Sequence, residues 1–371
     1  MQYQDRIYLD HNSTTELNSE LLARLGEVKS FFANPSSQHS SGKMAKKWSE
    51  ENINEIYKAF HCKPNDFEFL LHSGTSEASN TFLNLGAKDC LFYFASDHSC
   101  ITQVASLLKT KGRKAIELPL NTDGHFNEDD IISIIQSEKG EGKNWLTFTW
   151  VNNETGVVWP LKLARTIKDK TGCSIFVDAT QAIGKVPDAF ELDTSLDCYS
   201  WSSHKFGAFK GSGFSFYKSE LTTQPLILGG DQQGLRSGTL NTSGLWSTAL
   251  ALIDIKKSYP YKDILDLKNK IVKLVTANSS FEYIQNESCN TICLIHKSKK
   301  ADLLLIHFDQ HGLDVGSGSA CSSGSLTAPK SLVAMGLNEK ASRSIRISLA
   351  KSNLVQEKEL IKRLSKVCEK L

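Results

Sequence analysis

Six short polar clusters carry most of the chemistry that can be read in this chain. Ser73, Gly74, Thr75 and Ser76 follow an apolar run and open a helical pattern, so backbone amides, hydroxyls and a helix dipole converge where a phosphate could sit. Asp97, His98 and Ser99 end the next apolar run, and Asn152, Asn153, Glu154, Thr155 and Gly156 end a later one. Another ends in Asp178, with Gln181 three residues on, and the run after it ends in Ser202, Ser203, His204 and Lys205. Near the C-terminus Cys321 lies in Gly316 to Ser325, a stretch of Gly, Ser and Ala with little that could pack, for which a mobile loop is the physical expectation.

Elements of regular structure must bring these clusters together. Strand-like runs at Phe67 to Leu71, Leu91 to Ala95, Ala115 to Leu118, Leu146 to Val151, Ser174 to Val177, Cys198 to Trp201 and Phe214 to Tyr217 alternate with helical patterns such as Cys100 to Lys109 and Leu161 to Asp169. That alternation predicts an α/β domain with a mostly parallel seven-stranded sheet wrapped by helices. In such sheets ligands bind beyond the carboxyl ends of the strands, where the polar clusters fall. A phosphate cradle, a carboxylate after one strand and a lysine after the next are the parts a pyridoxal site needs. The lysine amine joins the cofactor aldehyde, and the acid keeps the pyridine nitrogen protonated.

Beyond Asn241 the pattern changes to helical stretches at Leu245 to Lys257 and Lys262 to Ala277. Strand-like Thr291 to Ile295, a helix near Asp302 to Gln310, strand-like Ile345 to Leu349 and an amphipathic helix over Leu354 to Leu371 follow. We read a smaller α+β C-terminal domain. The expected division is a large cofactor-binding domain over 14–256 and a small domain formed by 1–13 with 257–371. Leu360, Leu364, Val367 and Leu371 form an apolar stripe suited to core packing.

Composition narrows the function classes. Lys and Arg total 43 against 41 Asp and Glu, so no global field steers the chain to nucleic acid or to a membrane surface. Met1 to Asp10 holds no long apolar run, and no uninterrupted segment is long enough to span a bilayer. The 9 cysteines are odd in number and scattered through apolar stretches, which fits reduced thiols in a cytoplasmic protein. Cys289 and Cys293 lack a second ligand pair, so no metal is expected.

Several motifs together resemble the cysteine desulfurases among the fold-type I pyridoxal-phosphate enzymes, over nearly the whole chain. Tyr8 to Thr15 is similar to Y-L-D-N-N-A-T-T, Asn34 to Ser41 to N-P-S-S-x-H, and Ser73 to Glu77 to S-G-A-T-E. Asn152 to Gly156 resembles N-N-E-x-G, Asp178 to Gln181 resembles D-A-A-Q, and Ser202 to Lys205 resembles S-x-H-K. Arg236 to Thr239 matches R-S-G-T and Gly318 to Ser323 matches G-S-A-C-S-S. The chain departs from the pattern at His11, Thr75, Ser76 and Ser99, in the shortened Gly229 to Gly234, and after Lys205, where Tyr-Gly-Pro is absent. Pro329 to Val333 lacks the usual histidine.

The resemblance implies a function and a set of roles. Lys205 carries pyridoxal 5'-phosphate, Asp178 faces its pyridine nitrogen, and His98 stacks on its ring. Gln181 and Asn153 lie near the phenolic oxygen or the substrate. Thr75, Ser76, Ser202 and His204 hold the phosphate, while Thr239 reaches the phosphate of a neighbouring subunit, which implies a homodimer. Arg346, within Ser344 to Leu349, takes the substrate carboxylate, a task suited to its bidentate fork. Cys321 removes sulfur from L-cysteine as a persulfide, leaves L-alanine, and passes the sulfur to an acceptor protein for iron–sulfur cluster assembly or for tRNA or cofactor thiolation. Two alternatives remain at this point: a selenocysteine lyase or other β-eliminating pyridoxal enzyme, and a cofactor-binding scaffold.

Overall fold

In the computed structural model, residues 5–221, 223–230, 232–277, 280–318 and 328–371 are described. Seven strands form the central sheet: β2 (Glu68–His72), β3 (Cys90–Phe94), β4 (Lys114–Leu118), β5 (Asn144–Thr149), β6 (Ser174–Asp178), β7 (Cys198–Ser202) and β8 (Gly213–Tyr217). Their spatial order is β2-β8-β7-β6-β5-β3-β4, and only the two pairings of β8 are antiparallel. Helices cover both faces, so the inner strands are apolar without alternation. All five residues of β3, Cys-Leu-Phe-Tyr-Phe, are buried. Phe60, Trp201, Phe214 and Phe216 pack as one aromatic group under the sheet, with Trp201 stacked on Phe214 at 4.7 Å between centroids.

A second hydrophobic core gathers around β9 (Phe281–Ile284), β10 (Thr291–His296) and β12 (Ser344–Ser348), an antiparallel sheet in the order β12-β10-β9. The N-terminal strand β1 (Ile7–Tyr8) leaves the large sheet alone and pairs in parallel with β11 (Leu313–Asp314). Ile7 and Leu9 are buried in this second core beside Ile264, Leu313 and Ile347. The amphipathic segment expected as one helix over Leu354 to Leu371 is two helices, Lys351–Val355 and Glu357–Lys370, interrupted at Gln356. Leu360, Leu364 and Val367 of its stripe are fully buried, as core packing requires. Among the described residues no helix is long and apolar enough to cross a membrane.

Candidate active site

Parallel strands ending side by side at β3, β5, β6 and β7 create a cavity of about 710 Å³ at their carboxyl ends. Thr75, Ser76, His98, Asn153, Asp178, Gln181, Ser202, His204, Lys205 and Arg346 all line it. Thr239 lies outside it, on an exposed stretch of chain. Cys321 lies outside the described residues.

Lys205 sits in the short 3-10 helix Ser203–Phe206 that follows β7 directly. Its Nζ donates to the backbone carbonyls of Asn12 at 2.8 Å and Ser13 at 2.6 Å, so the N-terminal segment aims the amine into the cavity. Burial, followed by the nearby Arg346 charge, pushes this ammonium down to about 8. A larger share is therefore the neutral, nucleophilic amine near neutral pH than for a lysine in water.

Asp178 closes β6, is buried, and accepts a hydrogen bond from the Thr180 amide at 3.0 Å. One turn on, Gln181 donates from Nε2 to the Asn12 carbonyl at 2.8 Å, while its buried Oε1 has no partner in the protein. A buried acceptor without a partner is costly, so a donor on a bound molecule fits that position.

The turn after β3 is pinned by Asp97, whose carboxylate accepts from Thr147 Oγ1 at 2.5 Å, Thr149 Oγ1 at 2.7 Å and the Phe94 amide at 3.0 Å. His98 comes next and caps the helix Ser99–Thr110, its Nδ1 accepting from the Cys100 amide at 3.2 Å. Nδ1 is thus an acceptor, and the neutral ring carries its proton on Nε2. The ring is open to the cavity yet hemmed in by protein, and this removal from bulk water lowers its pKa, with Asp178 opposing.

The phosphate-like end is built around the N-terminus of the helix Thr75–Phe82. Gly74, at φ 155, brings the backbone so close to β7 that a Cβ there would stand 3.1 Å from Ser202 Oγ. That hydroxyl accepts from the Thr75 amide at 2.9 Å. The Thr75 hydroxyl points into the protein, meeting Thr180 Oγ1 at 2.8 Å and Ser200 Oγ at 3.1 Å. Ser76 is exposed at the cavity, and His204 contacts Thr14 Oγ1 at 3.0 Å through Nδ1. Burial and the Lys205 charge push the His204 ring down to about 4.

On the opposite wall Arg346 projects from β12. Its NH1 donates to the Asn153 carbonyl at 2.9 Å and its NH2 meets Asp10 Oδ1 at 2.6 Å, while Nε is buried without a partner. Gly316 bridges to Arg346 through both backbone hydrogen bonds, which holds the edge of the cavity against the ion pair.

Sequence reasoning gives no role to Asp10, Asn12, Ser13, Cys100 or Thr180 and puts Gly316 at the start of a mobile loop, whereas all six line the cavity and Gly316 is paired to β12. The signal for the first three was the polar Asp10 to Thr15 run directly after the apolar Ile7 to Leu9, noted as a motif but not assigned residue by residue. Cys100, two residues beyond His98, places its Sγ 3.2 Å from His98 Nδ1. Burial pushes its thiol up to about 12, so it is a neutral neighbour rather than a nucleophile.

These residues fit a pyridoxal phosphate: an amine of lowered pKa, a buried carboxylate, an unpartnered amide oxygen and a helix N-terminus share one cavity. The comparisons agree on the framework. The Aminotransferase class-V family profile matches residues 7–361. Cysteine desulfurase 2 of Trichormus variabilis is 30% identical over 361 residues, covering 93% of this chain and 88% of that protein. Cysteine desulfurase IscS of Clostridium botulinum is 28% identical over 369 residues, covering 95% of this chain and 91% of the other. A NifS-like protein from Rickettsia africae superposes with a TM-score of 0.87 at 25% identity, over 98% of this chain and 99% of that one. With a family match across almost the full length, the chain belongs to the class-V aminotransferase family.

Proposed function

We propose that this protein is a pyridoxal-phosphate-dependent cysteine desulfurase, converting L-cysteine to L-alanine with transfer of the sulfur to Cys321. The observation that carries the reading is the meeting of Lys205, Asp178, His98 and Arg346 in one cavity. Pyridoxal phosphate, when bound, supplies the aldehyde that joins amines and the ring that draws electrons from the substrate α-carbon.

The residues of the chain divide the remaining work. Lys205, held by the Asn12 and Ser13 carbonyls, is the cofactor amine and, once free, the base at the substrate α-carbon. Asp178 would face the pyridine nitrogen of the bound cofactor, and the Gln181 amide its phenolic side. Ser76, with its amide, Ser202 and His204 would hold the phosphate, while Thr75, whose amide is bonded to Ser202 and whose hydroxyl is bonded to Thr180 and Ser200, would support that cradle from behind. His98 would stack on the ring of the bound cofactor and could offer a proton from Nε2, since its Nδ1 is an acceptor. Arg346 takes the substrate carboxylate beside Asn153, which orients the Cβ–Sγ bond for attack. That bond breaks as a sulfur–sulfur bond to Cys321 forms, giving a persulfide and, after protonation, alanine.

Thr239, exposed and outside its own cavity, fits a role at the site of a second subunit in a homodimer. The persulfide sulfur passes to an acceptor protein of iron–sulfur assembly or of tRNA or cofactor thiolation. We assign the large domain to 14–256 and the small domain to 1–13 with 257–371, a division supported by separate hydrophobic cores around the large sheet and around β12, and we assign the protein to the cytoplasm.

The test is turnover of L-cysteine by cofactor-loaded protein, with alanine quantified and the chain examined by mass spectrometry. Equal alanine and persulfide, with the added sulfur on Cys321 and loss of transfer in Cys321→Ala, is the expected result. Alanine released with no sulfur on the chain, or undiminished transfer by Cys321→Ala, would overturn the reading. Borohydride reduction should fix the cofactor on Lys205.

A further inference from the structure

A second cavity of about 400 Å³ lies behind Lys205, between the core under the large sheet and the core around β12. Much of its wall is apolar, with Leu22, Ile255, Tyr259, Leu349 and Val355 contributing, and polar groups such as His11, Glu16, Asp254 and Lys351 complete it. Into this setting the chain places Lys185, only 4% exposed. Its Nζ donates to the backbone carbonyls of Ile183 at 3.2 Å and Lys205 at 2.6 Å, and no carboxylate is among the groups acting on it. Buried ammonium groups are ordinarily paired, because an uncompensated charge in a low-dielectric site is expensive. The neighbouring His11 offers no anion: its ring nitrogens meet Thr15 Oγ1 at 2.8 Å and the Tyr8 carbonyl at 3.1 Å.

We propose that this cavity binds a small monocarboxylate with an apolar body, its carboxylate on Lys185 and its hydrocarbon part against Ile255, Leu349 and Val355. One buried cation balances one negative charge. Glu16 and Asp254 also line the cavity and offset the two other ammonium groups on its wall, Lys205 and Lys351, so that Lys185 is left with one negative charge to gain. The wall area suits a short aliphatic or aromatic acid rather than a free inorganic ion. Because the same ammonium holds the Lys205 carbonyl, occupancy is felt at the backbone of the residue that carries the cofactor in the proposed reaction. The site itself does not depend on that reaction.

Binding also couples to protonation. Burial, with the Lys205 charge next, pushes Lys185 down to about 7, and a bound carboxylate raises it again. Affinity is therefore highest below pH 7 and falls as the pH rises above it, with a proton taken up on binding near neutrality.

The experiment is calorimetric titration of hexanoate into the cofactor-loaded protein and its variants. Saturable binding at one site is expected, weakened by about tenfold or more in Lys185→Met, the scale of a lost charge-assisted hydrogen bond. Ser352→Trp, which fills the cavity from the helix Lys351–Val355 without touching Lys185 chemistry, should weaken it similarly. Arg346→Ala should leave it within about twofold, well under the tenfold that 1.4 kcal/mol represents. Absence of saturable binding, or binding lost in Arg346→Ala but kept in Ser352→Trp, would overturn the proposal, the latter because hexanoate would then occupy the catalytic cavity. Should Lys185→Met fail to fold, Ser352→Trp decides.

Discussion

Gly316→Ala tests the carboxylate-binding wall without removing any functional group. A methyl at Gly316 would stand 2.6 Å from Asp10 Oδ1 and 2.9 Å from Arg346 NH2, so it lands on the ion pair that those two atoms form at 2.6 Å. Gly316 does not have a positive φ, so the backbone accepts alanine and the conflict is with side chains alone. Relief requires the guanidinium and the carboxylate to move apart, which misaligns the fork meant for the substrate. Loss of one charge-assisted hydrogen bond is worth about 1.5–3 kcal/mol. That corresponds to roughly a 10- to 150-fold fall in kcat/KM for L-cysteine, expressed mainly in KM. Overpacking adds about 1–3 kcal/mol of destabilisation, which leaves the fold intact. Initial rates of alanine formation against L-cysteine concentration, at matched cofactor content, separate KM from kcat. Gly26→Ala is the control, since a Cβ there meets nothing within 4 Å. A Gly316→Ala enzyme with kinetics within twofold of wild type would refute the assignment of Arg346 to the substrate carboxylate.

Two further outcomes are expected. Asp178→Asn should keep the fold and slow turnover by about 10²-fold or more, the scale of losing one preorganised electrostatic partner; full cofactor occupancy with near wild-type turnover would remove Asp178 from its role. Acidification should destabilise the protein through His11 and His72, which burial pushes down to about 4. Unfolded histidines take protons near pH 6.5 while these resist until about 4, so stability falls as pH drops through that window. Buried Asp97, pushed up to about 6, works the other way and is favoured in its folded, protonated form between about pH 4 and 6. These three groups together give a loss of about 2–3 kcal/mol between pH 7 and pH 5, readable by urea unfolding, and His204, also pushed down to about 4, adds to it in the same direction. His72→Gln should flatten the dependence, and a stability that does not fall over this interval would contradict the burial argument.

Much of this architecture can be read from the chain because it leaves periodic or compositional traces. The apolar run at Leu91 to Ala95 has no polar alternation, and it marks a strand covered on both faces, as found for Cys90–Phe94 with a one-residue shift. The meeting of Lys205, Asp178 and His98 in one cavity is legible since each follows such a run at the carboxyl end of a strand. The contacts that aim them are less visible. Lys205 is held by two main-chain carbonyls, which any residue at positions 12 and 13 would carry. Thr75 reads in the sequence as a phosphate-holding residue, yet its hydroxyl turns to Thr180 and Ser200 and its amide to Ser202, a matter of rotamer and packing. The break at Gln356 is hidden for another reason: the apolar spacing of the second helix remains helical, so periodicity alone extends it backwards.

The placement of β1 beside β11 sets a timetable for the newborn protein. Asp10 and its partner Arg346 are 336 residues apart, and the carbonyls that hold Lys205 belong to the same early segment. At about 5–20 residues per second, a ribosome that has released the start of the chain needs roughly 20 s to a minute more before β12 is synthesised. Throughout that interval the large sheet can assemble while the wall carrying Arg346 does not yet exist. Ile7 and Leu9 meanwhile lack the apolar neighbours they occupy at the end. The Asp10–Arg346 pair of the cavity wall thus cannot close until β12 has been made, and β1 waits exposed to chaperones or to premature pairing on the way.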